Sequence, residues 1–357
     1  MATSDLEILD ELIIEALSAA DTGQALVYGG GSGLARLLLD RGGISRARFA
    51  STSLVALEQI GRVANGRAEL AQEVALAASR YGTFDLALVV APQSRVLARR
   101  WLVEARAGLR NGGALYLAGA NAGGVRSLID DAAALFGNAQ TLLTKRRSRV
   151  VRALCPAALP TPEWAIIPGI ALGTWQRFCI ELAGSVRELD SLPGVFSAER
   201  LDSGTALLLE HIGDVAGARV LDLGCGYGAI GLAMAWAGAA HIDMLDENLY
   251  AVAAATRNAA NQALTNVRVV AADVRAEAFQ GPYDLVATNP PFHQGKTIDY
   301  AAAHGFFSYA RDVLAPAGRL LLVANSFLRY DTILSKQFGS VKRIAGNASF
   351  AIWEARL

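Results

Sequence analysis

Three blocks of this 357-residue sequence occur twice, in the same order and nearly two hundred residues apart. ALVYGGGSG (25–33) answers to VLDLGCGYG (220–228), FDLALVVAPQ (84–93) to YDLVATNPPF (283–292), and GLRNGGALYLAGAN (108–121) to VLAPAGRLLLVANS (313–326). A unit repeated at that spacing is long enough to bury its own core, so the pattern predicts two tandem copies of one fold. The plainer alternative is that any two α/β domains share apolar strands and glycine turns. With 53% apolar and 18% charged residues, either version is globular rather than disordered.

The architecture of the unit is legible in the second half. RVLDLG, HIDMLD, NVRVVAAD, YDLVATN and GRLLLVAN read as strands buried on both faces, separated by helices rich in alanine and leucine. That alternation is the signature of an α/β fold with a parallel, doubly wound sheet, whose ligands sit at the carboxyl ends of the strands. In the tail, FGSVKRIAGNASFAIWEARL holds two β-rich runs joined by GNAS, which predicts an antiparallel hairpin at one sheet edge. The expected division is 1–153 for the first copy, 154–191 for a proline-rich linker containing CPAALPTPEWAIIPG, and 192–357 for the second copy.

Lysine plus arginine and aspartate plus glutamate balance at 33 each, which excludes a globally basic polyanion binder and makes any nucleic-acid surface regional. Cys155, Cys179 and Cys225 are far apart and show no CxxC or Cys/His spacing, so neither a disulfide framework nor a metal site is expected. The acidic start MATSDLEILDELIIEAL is no signal peptide, and no uncharged run reaches the roughly 18 residues a membrane span needs. A cytoplasmic, monomeric protein with no membrane association is the expectation.

Chemistry enters with the second glycine loop. A strand ending in Asp222 runs into Gly224, Gly226 and Gly228, so the backbone can approach a ligand without Cβ atoms intervening. The GxGxG spacing after an acid differs from the dinucleotide fingerprint, and no lysine is present to hold a phosphate. Asp246 closes the next strand and Asp273 the one after. Each acid alone reads more simply as a helix cap. Together, three acids at successive strand ends suit an amino group, ribose hydroxyls and an adenine amine, which favours S-adenosylmethionine over NAD. Further on, TNPPFH leads out of an apolar strand. The side-chain oxygen of Asn289 and the carbonyl of Pro290 can both accept from one aromatic amine, since Pro290 and Pro291 hold the backbone out of any ladder. Two acceptors favour pyramidalisation of a nitrogen whose lone pair is otherwise delocalised into the ring. Phe292 offers a stacking face, and His293 is either a substrate-side group or an exposed cap. The bland alternative is a proline-stiffened turn.

At these residues the sequence resembles the class I S-adenosylmethionine-dependent methyltransferases, and among them the bacterial small-subunit rRNA guanine-N2 methyltransferases. The resemblance extends to LPGVFSAERLDSGTALLLEHI (192–212) and to VANSFLRYDTILSKQFGSVKRIAGNASFAIWEA near the end. It implies two tandem Rossmann-like methyltransferase domains of which only the second is active. The cofactor would be held by Asp222, Gly224, Cys225, Gly226, Gly228, Asp246 and Asp273, and the guanine by Asn289, Pro290, Pro291 and Phe292. Asp273 departs from the family pattern, where asparagine is common. The implied function is methylation of a guanine N2 amine in 16S rRNA, free or in the small subunit. Guanine methylation in 23S rRNA, N6-adenine methylation, protein glutamine methylation and a non-enzymatic assembly factor are the alternatives. Segment 192–212 either covers the cofactor pocket, with Phe196 near the base, or is a packing strap. In the first copy Val27 replaces Asp222, Ser51 replaces Asp246 and VVAPQ replaces TNPPF. That copy would then be a scaffold, with Lys145, Arg146, Arg147 and Arg149 as a phosphate-contacting cluster or a solvated face.

Overall fold

The computed structural model describes the backbone of residues 3–274, 279–291, 293–294, 297–298 and 300–357. The chain divides into two compact units, Met1–Trp175 and Gln176–Leu357. In the first, strands β1 (Gly23–Tyr28), β2 (Ile44–Ala50), β3 (Ala68–Ala71), β4 (Phe84–Val90), β5 (Leu109–Ala120), β6 (Gln140–Lys145) and β7 (Ser148–Leu154) form one sheet in the order β3-β2-β1-β4-β5-β7-β6. The second unit opens with a hairpin of β8 (Gln176–Leu182) and β9 (Ser185–Ser191). Its main sheet contains β10 (Arg219–Leu223), β11 (His241–Asp246), β12 (Val267–Ala271) and β13 (Tyr283–Thr288). A short pair, β14 (His293–Gln294) and β15 (Thr297–Ile298), stands apart from it. The sheet is completed by β16 (Leu314–Asn325), β17 (Ser340–Gly346) and β18 (Phe350–Arg356). The order is β12-β11-β10-β13-β16-β18-β17, the same as in the first unit. Five strands of each sheet are parallel, and the last two form the antiparallel hairpin expected at the edge.

The two copies agree in details beyond strand order. Gln24 N–H donates to Asp85 Oδ2 at 2.7 Å, and Arg219 N–H donates to Asp284 Oδ2 at 2.8 Å. Gly29 N–H donates to the Ala50 carbonyl and Gly224 N–H to the Leu245 carbonyl. β5 and β16 enter their sheets with the same register shift, Phe84 facing Leu109 and then Leu86 facing Ala114, Tyr283 facing Leu314 and then Leu285 facing Arg319. One cross-strand ion pair is kept with its signs exchanged: Arg48 faces Glu69 in the first sheet, and Asp243 faces Arg268 in the second. Pairing of Val27 with Phe49 and Leu88, against Asp222 with Met244 and Ala287, makes Val27 the counterpart of Asp222; the same register sets Ser51 opposite Asp246.

Two expectations need adjustment. β12 is only partly buried because it is the edge of its sheet, so its apolar run faces the core on one side alone. The stretch 154–191 is structured, and the divide between units falls inside it. Its first part lies on the first unit, where Arg106 donates to the Leu159 carbonyl at 2.9 Å and the Arg99 guanidinium stands 4.9 Å above Trp164. Its second part is the β8–β9 hairpin, turning on Ala183 and Gly184 at φ of +51° and +72°. This is a two-residue turn with both central residues left-handed, made without the Asn-Gly signal that would have announced it. Asp190 fastens the hairpin to helix Leu249–Asn261 through Arg257 at 2.6 Å and Asn261 at 3.2 Å. Asn258 bonds the Asp190 main chain and also the Tyr227 carbonyl at 3.0 Å, which ties the hairpin to the second glycine loop.

Candidate active site

After the half-exposed Arg219, β10 is apolar and buried up to Asp222, its fourth residue, and the chain then turns through Gly224, Gly226 and Gly228 at φ of +79°, +56° and +96°. A Cβ on Gly224 would lie 3.1 Å from the Phe306 ring, whereas on Gly226 it would meet none of the described residues within 4 Å. The crest of the loop therefore faces open space, and its backbone can be approached closely there. Both Gly224 N–H and Cys225 N–H donate to the Leu245 carbonyl, fixing the loop against the end of β11. The Cys225 thiol is buried and its pKa is pushed far up by that burial, with Asp246 and Asp222 adding to it, so it is no ready thiolate nucleophile.

The acids meet at the same rim. Asp222 is wholly buried under the loop; its Oδ2 accepts from Gly231 N–H at 2.8 Å, and its Oδ1 has no hydrogen-bond partner among the described residues. Burial raises its pKa to about 7 against the Gly231 hydrogen bond, and the nearby Asp246 charge adds to the rise. Asp246 accepts from Gly226 N–H at 2.9 Å and Asn248 N–H at 2.8 Å, and its pKa is raised by burial to about 6. Asp273 lies half-buried just beyond β12, where Ala272 N–H donates to the Asp246 carbonyl at 3.1 Å. An unsatisfied buried acceptor costs about 1–3 kcal/mol, so the Asp222 oxygen, the open Gly226 crest and the clustered carboxylates fit a ligand bearing positive charge and hydroxyl groups.

At the end of β13, Thr288 Oγ1 donates to the Leu223 carbonyl at 2.6 Å, which joins the NPP turn to the strand that carries the glycine loop. Pro290 is buried and Pro291 exposed. Asn289 Nδ2 donates to Asp202 Oδ2 at 3.1 Å and to Thr205 Oγ1 at 3.0 Å. The motif alone did not reveal these partners; the DSGT that caps and opens helix Ser203–Leu209 was the available signal, visible only as a cap. Phe292 and the side chain of His293 lie outside the described residues.

Segment 192–202 crosses this rim. The Gly194 carbonyl accepts from Asn248 Nδ2 at 3.0 Å, the Arg200 carbonyl from Tyr227 OH at 3.1 Å, and Asp202 from Asn289. It thus touches in turn the end of β11, the glycine loop and the end of β13. Phe196 lies on this strap and is 60% exposed.

The first copy is closed where the second is open. Helix Thr3–Ala16 brings Asp10 into the GGGSG loop, where Oδ2 accepts from Leu34 N–H at 2.9 Å and burial raises the pKa to about 6. A Cβ on Gly29 would meet Trp101 at 3.1 Å, as Gly224 meets Phe306. In the basic cluster at the β6–β7 turn, Lys145 pairs with Glu15 at 3.0 Å and Arg146 with Glu11 at 2.7 Å, while Arg149 bonds Asn121 Oδ1 at 3.1 Å. Two of its four cations are thus matched by acids of the first helix. Among the described residues no group of three or more His, Cys, Asp or Glu is placed to hold a metal, and no helix is long and apolar enough to cross a membrane.

The strand order, the glycine loop following an acid and the rim of carboxylates beside an Asn-Pro-Pro turn define a class I methyltransferase fold. The family model described as "Methyltransferase small domain" matches residues 187–354. The ribosomal RNA small subunit methyltransferase C of Pseudomonas paraeruginosa is 36% identical over 77% of this chain and 80% of its own length. That of Chromohalobacter salexigens is 36% identical over 74% of this chain and 76% of its own length. Among solved structures, the T. thermophilus 16S rRNA N2 G1207 methyltransferase (RsmC), in complex with AdoMet and guanosine, superposes with a TM-score of 0.82. It is 28% identical, over 98% of this chain and 91% of that one. The chain belongs to the ribosomal RNA small subunit methyltransferase C family.

Proposed function

We propose that this protein transfers a methyl group from S-adenosylmethionine to the exocyclic N2 amine of a guanine in 16S rRNA, in the cytoplasm, and that the second unit carries the chemistry. The observation that carries this reading is the Asn289 amide: its two N–H groups are taken by Asp202 and Thr205, which leaves its oxygen to accept. A family relative solved with AdoMet and guanosine, similar over nearly the whole chain, supports the same donor and acceptor.

S-adenosylmethionine supplies an electrophilic methyl group on a sulfonium. The residues that would hold it are those of the open loop and the acidic rim: Gly224, Gly226 and Gly228 by close backbone approach, Asp222 through its unpartnered oxygen, and Asp246 and Asp273 as hydroxyl and amine acceptors. On the acceptor side, the Asn289 oxygen and the Pro290 carbonyl take hydrogen bonds from the guanine amine and stabilise the positive charge it develops on attack. A preorganised acceptor of this kind is worth about 10²–10³ in rate. The buried Pro290 gives the turn stiffness, and Phe292 and His293 are the further residues proposed for guanine. The strap through Phe196 lies over the same rim and closes the pocket. The first unit, with its loop filled by Asp10, serves as scaffold, and the basic turn around Lys145, Arg146, Arg147 and Arg149 contacts phosphates of the RNA.

Mass spectrometry of nucleosides from 16S and 23S rRNA of a deletion strain tests the reading. Loss of N2-methylguanosine from 16S alone is the expected result, restored by the wild-type gene. Unchanged 16S with a loss from 23S, or with a loss of N6-methyladenine, would replace it with the corresponding alternative.

A further inference from the structure

We infer that Asp202 and Thr205 are positioning residues that decide which end of the Asn289 amide faces the methyl acceptor. The inference rests on the reaction proposed above. An asparagine amide carries an oxygen and a nitrogen of nearly equal size, and half a turn about its last torsion exchanges them. The two orientations are chemically opposite. With the oxygen forward, Asn289 accepts from a purine amine; with the nitrogen forward, it would set N–H donors against N–H donors.

The surroundings of Asn289 permit one orientation. Its Nδ2 donates to Asp202 Oδ2 at 3.1 Å and to Thr205 Oγ1 at 3.0 Å. Thr205 is itself directed, since its hydroxyl lies 3.4 Å from Asp202 Oδ2 and donates to it, so that its lone pairs are left for Asn289. A reversed amide would bring its oxygen against the Asp202 carboxylate and force Thr205 to give up that bond. Asp202 Oδ2 accepts from Thr205 N–H at 2.9 Å as well, so the carboxylate has little freedom to move away. The bond from Nδ2 to a carboxylate also polarises the amide, which places more negative charge on the oxygen that faces the substrate. A residue 87 positions upstream in sequence thereby sets both the direction and the strength of the acceptor.

The test compares D202A, D202N, T205V and T205S, each alone and combined with N289A. The assay measures transfer of labelled methyl groups to 16S rRNA or small subunits from a deletion strain. Calorimetric S-adenosylmethionine binding and thermal unfolding accompany each variant. D202A and T205V are expected to lower kcat by about 10- to 100-fold, the loss that misplacing a reacting group typically brings. The KM for RNA and the cofactor affinity change little. T205S recovers most of the rate, and D202N, which keeps an acceptor without the charge, falls between. In the N289A background, neither D202A nor T205V lowers the residual rate further, because residues acting through a common group are not additive. Asp202 also caps helix Ser203–Leu209, so if D202A unfolds, the Thr205 pair, which leaves the cap intact, decides the matter. Losses that persist in the N289A background, or that fall on cofactor affinity with kcat intact, overturn the inference and leave a structural role. A wild type that methylates no rRNA overturns the proposed reaction, and this inference with it.

Discussion

At the scale of single residues, the site is held in a state that a ligand improves. Asp222 and Asp246 have pKa values raised to about 7 and about 6, chiefly by burial. A raised carboxylate pKa means that the folded protein holds its proton more tightly than the unfolded chain. The stabilising contribution is therefore complete below about pH 4 and is lost as pH rises through 6 and 7. A ligand carrying positive charge and hydroxyl donors prefers the ionised carboxylates and reverses that loss. The affinity for S-adenosylmethionine is thus expected to strengthen from pH 5 to pH 8, by up to about tenfold per pH unit for each carboxylate below its folded pKa. Melting temperatures recorded with and without cofactor across that range check this, since the gain on adding cofactor should widen towards pH 8. A gain that is flat, or larger in acid, would show that the carboxylates are not the groups that meet it. Asp222 and Asp246 were legible in the sequence because they end predicted strands. The division of labour between them was not, since only packing puts Asp222 beneath the loop and Asp246 against its crest.

At the scale of elements, strand pairing does work that no motif records. Asp243 is fully buried in β11 and gathers Arg268 at 2.8 Å, Tyr283 OH at 2.5 Å and His241 at 3.1 Å. Burial pushes its pKa up, but Arg268 and Tyr283 outweigh this and hold it below the usual carboxylate range. D243A leaves the buried tyrosine hydroxyl without its acceptor and should lower stability at pH 7 by about 2–3 kcal/mol, read from denaturant midpoints. Because the pKa is depressed, the contribution is present above about pH 4 and fades as pH falls below it, so the gap to wild type should close in acid. The double variant D243R/R268E should recover part of the loss, as the first copy carries the same pair reversed in Arg48 and Glu69. A D243A protein within about 0.5 kcal/mol of wild type would refute the role, that being the range of an ordinary surface change. The β8–β9 hairpin marks the limit of sequence reading at this scale, since Ala183 at positive φ and the Asp190 anchor on helix Leu249–Asn261 have no local signature.

At the scale of the whole molecule, one fold occurs twice, with different residues at its strand ends. The first copy retains the sheet order, the register shift and the glycine turn, but Val27 and Ser51 stand at the positions of Asp222 and Asp246, and Asp10 fills the loop. As a scaffold it would meet RNA through phosphates, and the cluster at the β6–β7 turn gives an ordered expectation. Lys145 and Arg146 already face Glu15 and Glu11, so R147A/R149A should weaken RNA binding more than K145A/R146A. The slope of log affinity against log salt should fall by about one for each phosphate contact removed. Filter binding of 16S rRNA over a salt series measures both, and an unchanged slope in R147A/R149A would remove this turn from the interface.

The alternation of apolar strands with helices, the repeat, and the residue types at the strand ends followed from sequence alone, because side-chain period and strand-end chemistry are local properties of the chain. Tertiary structure decided what depends on distant residues meeting. It set the amide of Asn289 between Asp202 and Thr205, laid segment 192–202 over three strand ends, paired the basic turn with the acids of the first helix, and filled the first glycine loop with Asp10. Each of these is a hydrogen bond or ion pair between positions far apart in sequence, and its geometry exists only once the sheet has brought the strand ends to one edge.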